Sequence, residues 1–240
     1  MEIIPIKLPI LQPPKDDLLV ALETSLPSLQ DGDIILVTSK VVSIDEGACV
    51  PCGDVKNKDD LIEAQADHSL PREMTPDKRA ILTIKHNTLI PSAGLDESNA
   101  NDHYILLPEK PQESAQKIWL FLRKKHNIQN LGVIITDSTS NPLRYGVVSV
   151  SIGFFGFHPL RDYRDRKDLF GREFEMSQTN IPDSLSAIAA VSMGEGDERT
   201  PVVIVRNAPD IQFSDKNHES DFLIPPKQDL FYPLLQKFYE

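Results

Sequence analysis

The run Ile34-Ile35-Leu36-Val37 constrains the fold more than any other feature, because it is apolar without alternation. A strand with one face in water alternates apolar and polar residues, so an unbroken run implies cover on both faces. Val133-Ile134-Ile135 and Val202 to Val205 repeat the pattern. Further strands are expected at Glu2 to Ile6, Val41 to Ser43, Tyr104 to Leu107 and Val147 to Ile152. A hairpin is expected from Ile81 to Ile84 and Thr88 to Ile90. Helical periodicity marks Asp16 to Leu26, Lys58 to His68, Glu113 to His126 and Asp183 to Met193, with a short terminal helix from Leu230 to Phe238 interrupted by Pro233. Trp119 lies on the apolar stripe of the third helix, with Ala115, Ile118 and Leu122, and is read as core. Strands and helices intermix without strict alternation, which favours an α+β (mixed α/β) class. A chain of 240 residues fits one large domain or two small ones and can bury its own core.

A net charge of −11 opposes binding to nucleic acid or to an anionic membrane, since phosphate contact needs clustered Lys and Arg. No apolar run reaches the ~18 residues of a membrane span. The N-terminus MEIIPIKLPIL lacks the layout of a signal peptide, so a cytoplasmic location is expected. Cys49 and Cys52 have no further ligands near them in sequence and read as ordinary thiols. The six histidines show no metal-like spacing. Between Arg144 and Arg172, six basic residues face three acids. That excess is either a solvated face or a seat for a small anion.

Three loops combine an acid with Gly, Ser or Asn where a strand or helix ends: Asp96 in GLDESN, Asp137 in TDSTSNPLR and Glu195 in MGEGDE. Hard cations such as Mg²⁺ and Mn²⁺ take oxygen ligands, usually one or two carboxylates completed by substrate phosphates. Asp and Asn also favour turns for backbone reasons, so each loop alone is weak. The Asp137 carboxylate follows a buried strand directly, where α/β proteins tend to bind ligands, and is expected to open a loop. Thr38-Ser39-Lys40, at another strand end, offers hydroxyls, amides and a cation. Neither Gly-x-x-x-x-Gly-Lys-Ser/Thr nor Gly-x-Gly-x-x-Gly occurs, so any nucleoside triphosphate must be held by dispersed loops.

In this order, the motifs resemble the γ-glutamyl ligases that add L-glutamate to coenzyme F420-0, a deazaflavin cofactor precursor. The resemblance runs from about Ile4 to Arg206. It rests on DGDIILVTSKVVS with Glu46-Gly47, GLDESN, LLPEKPQESA, GVIITD, Arg144 with Gly146, VSIGFFGFHPLRDY, Asp168 with Gly171-Arg172, MGEG and PVVIVR. The length, LTIKHNTLIPSAG and DLFYPLL further resemble a bacterial branch taken to act in folate metabolism.

This resemblance implies an NTP-dependent ligase that phosphorylates an acceptor carboxylate and lets the amine of glutamate displace phosphate. It implies Asp96, Asp137 and Glu195 as metal ligands with Ser138 beside them, around a pair of Mg²⁺ or Mn²⁺ ions. Leu8, Pro9, Thr38, Ser39, Asn99 and the Gly194 to Gly196 loop become contacts for GTP or ATP, beside the candidate Lys40. Arg144 would stabilise the transferring phosphate or an acceptor carboxylate. Arg161, Arg164 and Arg172 would receive an anionic acceptor tail, of folate or of F420-0. The implied fold is the F420-0 γ-glutamyl ligase-like one, mixed sheets with flanking helices in an intertwined homodimer. It forms one catalytic unit over 1–240, with two subdomains (about 1–130 plus 200–240, and about 131–199) as a subdivision. Lys7, Ile44, Ser138, Ser140-Asn141 and Asp165 depart from the common pattern but leave the acidic loops intact. A catalytically silent nucleotide-binding homologue and a metal-dependent phosphohydrolase are the alternative readings.

Overall fold

A computed structural model of the chain describes residues 1–164 and 166–240; the Asp165 departure lies outside the described residues. At its centre is a five-stranded sheet with the order β1-β12-β2-β8-β9. Its strands are β1 (Glu2–Ile6), β2 (Asp33–Thr38), β8 (Leu131–Ser140), β9 (Val147–Phe155) and β12 (Val202–Arg206). β2 and β8 are parallel, whereas β1, β12 and β9 run antiparallel to their neighbours. Smaller sheets pair β3 (Cys49–Pro51) with β7 (His103–Ile105), β4 (His68–Ser69) and β6 (Thr88–Pro91) with β5 (Leu82–Lys85), and β10 (Leu160–Asp162) with β11 (Gln178–Asn180).

The unbroken apolar runs are explained by cover on both faces of the sheet. On one face Ile35, Val37, Val133, Ile135, Val202 and Ile204 pack with α1 (Leu18–Ser25), α2 (Ser39–Glu46) and α4 (Pro111–His126). On the other, Ile34, Leu36, Ile134, Val203 and Val205 pack with α5 (Ile181–Met193). Trp119 is buried and donates its indole N–H to the Leu131 carbonyl at 2.7 Å, which ties α4 to β8. β12 is fixed to β2 by Arg206, whose Nε and Nη2 each lie 2.8 Å from an oxygen of the fully buried Asp33 carboxylate. α5 starts on reciprocal caps, with the Asn180 side chain accepting from Asp183 N and donating to the Asp183 carboxylate.

Several boundaries differ from the sequence reading. Val41 to Ser43 is helical, inside α2, although Val41 and Val42 are β-branched. The stop signal is Gly47, which takes the left-handed conformation at the helix end. Asp137 to Ser140 is strand rather than loop. These residues continue β8 and pair with Val147 to Val150 of β9. The register slips between Ile135 and Thr136, a bulge of the kind that re-aims side chains beside active sites. Pro233 sits in the first turn of α7 (Tyr232–Leu235) and so begins that short helix instead of interrupting it. The remaining helices, α3 (Lys58–Gln65) and α6 (Glu219–Phe222), lie on the surface side of the fold. Among the described residues, no helix is long and apolar enough to cross a membrane.

Candidate active site

The parallel pair β2 and β8 builds the site's centre. Thr38 stands opposite Thr136 in register, so the residues that follow, Ser39 and Asp137, emerge side by side at the carboxyl edge of the sheet. The Ser39 hydroxyl donates to Asp137 Oδ1. Ser39 and Lys40 also open α2, whose first amide groups carry the positive end of the helix dipole.

The second acid arrives from the turn before β7. Asp96 bridges to Ile105 through its backbone and accepts from Ser98 N at 2.7 Å. Lys40 Nζ lies 2.7 Å from Asp96 Oδ2 and donates to the Ser98 carbonyl at 2.7 Å. The third acid follows α5. The Ser138 hydroxyl donates to Glu195 Oε1 at 2.8 Å, and Asn99 Nδ2 donates to the Gly196 carbonyl at 2.9 Å. Gly194 ends α5 at φ 73° and ψ 175°, a region open essentially to glycine alone. A Cβ there would stand 2.3 Å from the Glu198 carboxylate, the group that accepts from Gly196 N at 2.8 Å.

The electrostatics report the same convergence. Burial pushes the Asp137 carboxyl up to about 7, and the charges of Asp96 and Glu195 push the same way; the Ser39 hydrogen bond and Lys40 oppose them. At Asp96 burial also disfavours the charge, but Lys40 and Ser98 together outweigh it and hold the carboxyl below its ordinary range. Three carboxylates and a hydroxyl, all oxygen donors, line one cavity, with Lys40 as their nearby cation. Such a set suits hard divalent ions, and an acid held partly neutral by burial and by two like charges is what an added cation would relieve.

All three acids line one cavity of about 890 Å³. Ser138 and every residue expected to contact nucleotide line it too: Leu8, Pro9, Thr38, Ser39, Lys40, Asn99, Gly194 and Gly196. Leu8 is held there by Arg199, through a bond from Leu8 N to the Arg199 carbonyl at 3.1 Å and one from Arg199 Nη2 back to the Leu8 carbonyl at 3.2 Å. Glu198 and Arg199, both lining the cavity, were not singled out from sequence, since they follow the MGEG motif without a pattern of their own.

The basic candidates stand elsewhere. Arg144 is exposed in the turn between β8 and β9, where its Nη1 donates to the Leu143 carbonyl, and it does not line the cavity. Arg161 bonds the Pro209 carbonyl and lies 3.5 Å from Asp210, and Arg164 pairs with Asp162. Arg172 is exposed on the turn whose main chain Asp168 holds. None of the three lines the cavity. Ile44, a departure from the common pattern, is buried and borders it. Cys49 and Cys52 are free thiols away from it, and burial raises Cys49 above its ordinary value. A second recess of about 920 Å³ adjoins at Thr139 and Ser140, lined by Gln112, Phe154, Asp183 and Asn217 among others.

Comparison with known proteins identifies the family. Residues 5–207 match the family model described as F420-0:gamma-glutamyl ligase. The coenzyme F420:L-glutamate ligase of Methanocaldococcus jannaschii is 32% identical over 250 aligned positions, covering 96% of each chain. That of Methanopyrus kandleri is 33% identical over 91% of this chain and 92% of its own. The enzyme of Methanococcus maripaludis strain C7 is 33% identical over 90% of this chain and 91% of its own. A match of this extent, to a model spanning most of the chain and to relatives aligned nearly end to end, leaves one assignment: the chain belongs to the F420-0:gamma-glutamyl ligase family of carbon–nitrogen ligases.

Proposed function

We propose that the protein forms a γ-glutamyl amide between L-glutamate and a carboxylate of a folate- or F420-0-type acceptor, driven by a nucleoside triphosphate and a divalent cation. The observation that carries this reading is the meeting of Asp96, Asp137 and Glu195 in one cavity with Lys40 and the start of α2. Mg²⁺ or Mn²⁺, as a pair held by those carboxylates with Ser138, would neutralise phosphate charge as the γ-phosphoryl moves.

The chain's own residues supply positioning. Amide groups at the start of α2 would face the phosphates, the Ser39 hydroxyl holds Asp137 in place, and Lys40 would add a point charge. Asn99 and the Gly194 to Gly196 loop, tied together by the Asn99 bond to Gly196, close over the nucleotide, which is GTP or ATP. The acceptor carboxylate takes the γ-phosphoryl group, giving an acyl phosphate. The amine of glutamate then attacks the acyl carbon, phosphate leaves, and the amine loses a proton. Because Arg161, Arg164 and Arg172 do not line the cavity, the adjoining recess at Thr139 and Ser140 is the better seat for the acceptor ring.

The homodimer belongs to the same proposal. Leu143 and Tyr145 flank Arg144 and are almost fully exposed at 95% and 108%. A second copy covering this turn would bury them and carry Arg144 to the partner's cavity.

The reading is tested by offering the purified protein L-glutamate with folate or F420-0, GTP or ATP, and Mg²⁺ or Mn²⁺, then weighing the products. A mass gain of one glutamyl unit or more on one acceptor supports it. Phosphate release without glutamate would instead favour a phosphohydrolase, and nucleotide binding without turnover a silent homologue.

A further inference from the structure

Two of the histidines that show no pattern in sequence meet in space with a carboxylate. His158, His218 and Asp221 each present a ligand atom within 4.8 Å of the others. We propose that these residues form a binding site for a borderline divalent cation such as Zn²⁺, Co²⁺ or Ni²⁺, which clamps the C-terminal segment onto the end of β9.

The side chains are already close. The imidazole centroids lie 3.9 Å apart, and His218 Nδ1 is 2.7 Å from Asp221 Oδ2. Asp221 stands three residues after His218, which precedes the first turn of α6, so both project on one side. The other ring nitrogen of His218, Nε2, meets Ser214 Oγ at 2.9 Å. Such an outer partner fixes a ligating imidazole, and the ion would take the place of the Nδ1–Asp221 hydrogen bond, with both of those atoms as ligands.

The backbone on both sides is anchored. His158 N donates to the Gln212 carbonyl at 2.8 Å, and Ser214 N donates to the Gly156 carbonyl at 2.9 Å. Between them Phe157 bridges to Phe213. Gly156 sits at φ +100°, and a Cβ there would come within 2.0 Å of the Leu131 carbonyl oxygen. The end of β9 therefore has little freedom to shift, and the frame is set before an ion arrives.

Ligand chemistry separates this cluster from the acidic cavity. Imidazole nitrogens suit Zn²⁺, Co²⁺ and Ni²⁺, whereas an all-oxygen set suits Mg²⁺ and Mn²⁺. Three protein ligands, one of them on an exposed residue, leave a fourth position for water. An ion bound here stabilises the folded form by mass action. It also fastens a functional surface, because Asn217, Glu219 and Phe222 beside the cluster line the second recess. Phe222 packs on Phe154 with centroids 5.3 Å apart, and Asn217 accepts from Gln112 at 3.0 Å.

The test is calorimetric titration of Zn²⁺ into the chelator-stripped full chain with excess Mn²⁺ present to occupy the oxygen site. One saturable event per chain is expected, with a matching rise in melting temperature. Co²⁺ should give the visible absorption of a low-coordinate nitrogen–oxygen site. His158→Ala and His218→Ala should abolish both signals, and Ser214→Ala should weaken binding about 10–100-fold. Asp221→Asn changes an exposed group and leaves the two adjacent rings in place, so it should lose binding without losing the fold, as circular dichroism will show. Zn²⁺ binding that persists in Asp221→Asn and His218→Ala, or no saturable binding to the wild-type chain, would overturn the proposal.

Discussion

Ser138 on β8 donates its hydroxyl to Glu195 at 2.8 Å, joining residues 57 positions apart and closing the site between the sheet and the loop after α5. The bond orients a carboxylate that is otherwise on an exposed glycine-rich turn. Ser138→Ala should therefore lower the nucleotide-dependent affinity for Mn²⁺ about tenfold, the scale on which outer partners of metal ligands act. Ser138→Thr keeps the hydroxyl and should retain affinity. Equal affinities for the Ala variant and the wild type would show that this bond does not serve the site.

The raised Asp137 carboxyl predicts a pH-dependent stability in the absence of divalent ions. Its folded value of about 7 exceeds the ordinary 3.8 expected in the unfolded chain. Between these values the folded state binds more protons than the unfolded state, so stability falls as pH rises through that window. Melting temperatures measured with chelator should drop between about pH 4 and pH 7. The drop should shrink in Asp137→Asn, which cannot ionise. Added Mn²⁺ should restore more stability at high pH than at low pH.

The Asp33–Arg206 pair should matter more to folding than to chemistry. Asp33 is fully buried, and its carboxylate accepts from Arg206 and from Gln30 N. Arg206→Ala would leave a buried charge without its cation, which costs on the order of 3 kcal/mol. Urea unfolding should show a lower midpoint with an unchanged slope. A midpoint equal to that of the wild type would mean that the bridge contributes little.

Arg144 offers a separate test of the proposed dimer. If its guanidinium works in the partner's cavity, a mixture of Arg144→Ala and Asp137→Asn chains rebuilds one intact site per mixed dimer. Each variant alone should be nearly inactive, and co-expression should restore a fraction of activity. No recovery on mixing, with both chains shown to dimerise, would place Arg144 outside catalysis in trans.

Much of this architecture was legible because apolar runs without alternation are hard to satisfy except in a sheet covered on both faces. β2, β12 and the stripe of α4 follow directly. α2 was not legible, since Val41 and Val42 favour strands locally and helix packing under the sheet overrode that preference. The polar half of β8 was missed for a related reason. Asp137 to Ser140 carry turn chemistry, yet β9 supplies a ladder for them. The convergence of the three acids on one cavity was readable because they follow strand or helix ends that the topology brings to one edge. The placement of the arginines was not, because charge alone does not say which surface carries it: Arg144, Arg161, Arg164 and Arg172 do not line the cavity. His158 and His218 escaped for want of local spacing: the folded contact between residues 156–158 and 212–214 brings them together.

The most direct test of the central claim counts bound Mn²⁺ by electron paramagnetic resonance in the presence of a non-hydrolysable nucleotide. The wild-type chain should hold about two ions, and Asp96→Asn, Asp137→Asn and Glu195→Gln should each lose at least one while remaining folded. Undiminished Mn²⁺ occupancy in all three variants would contradict the account.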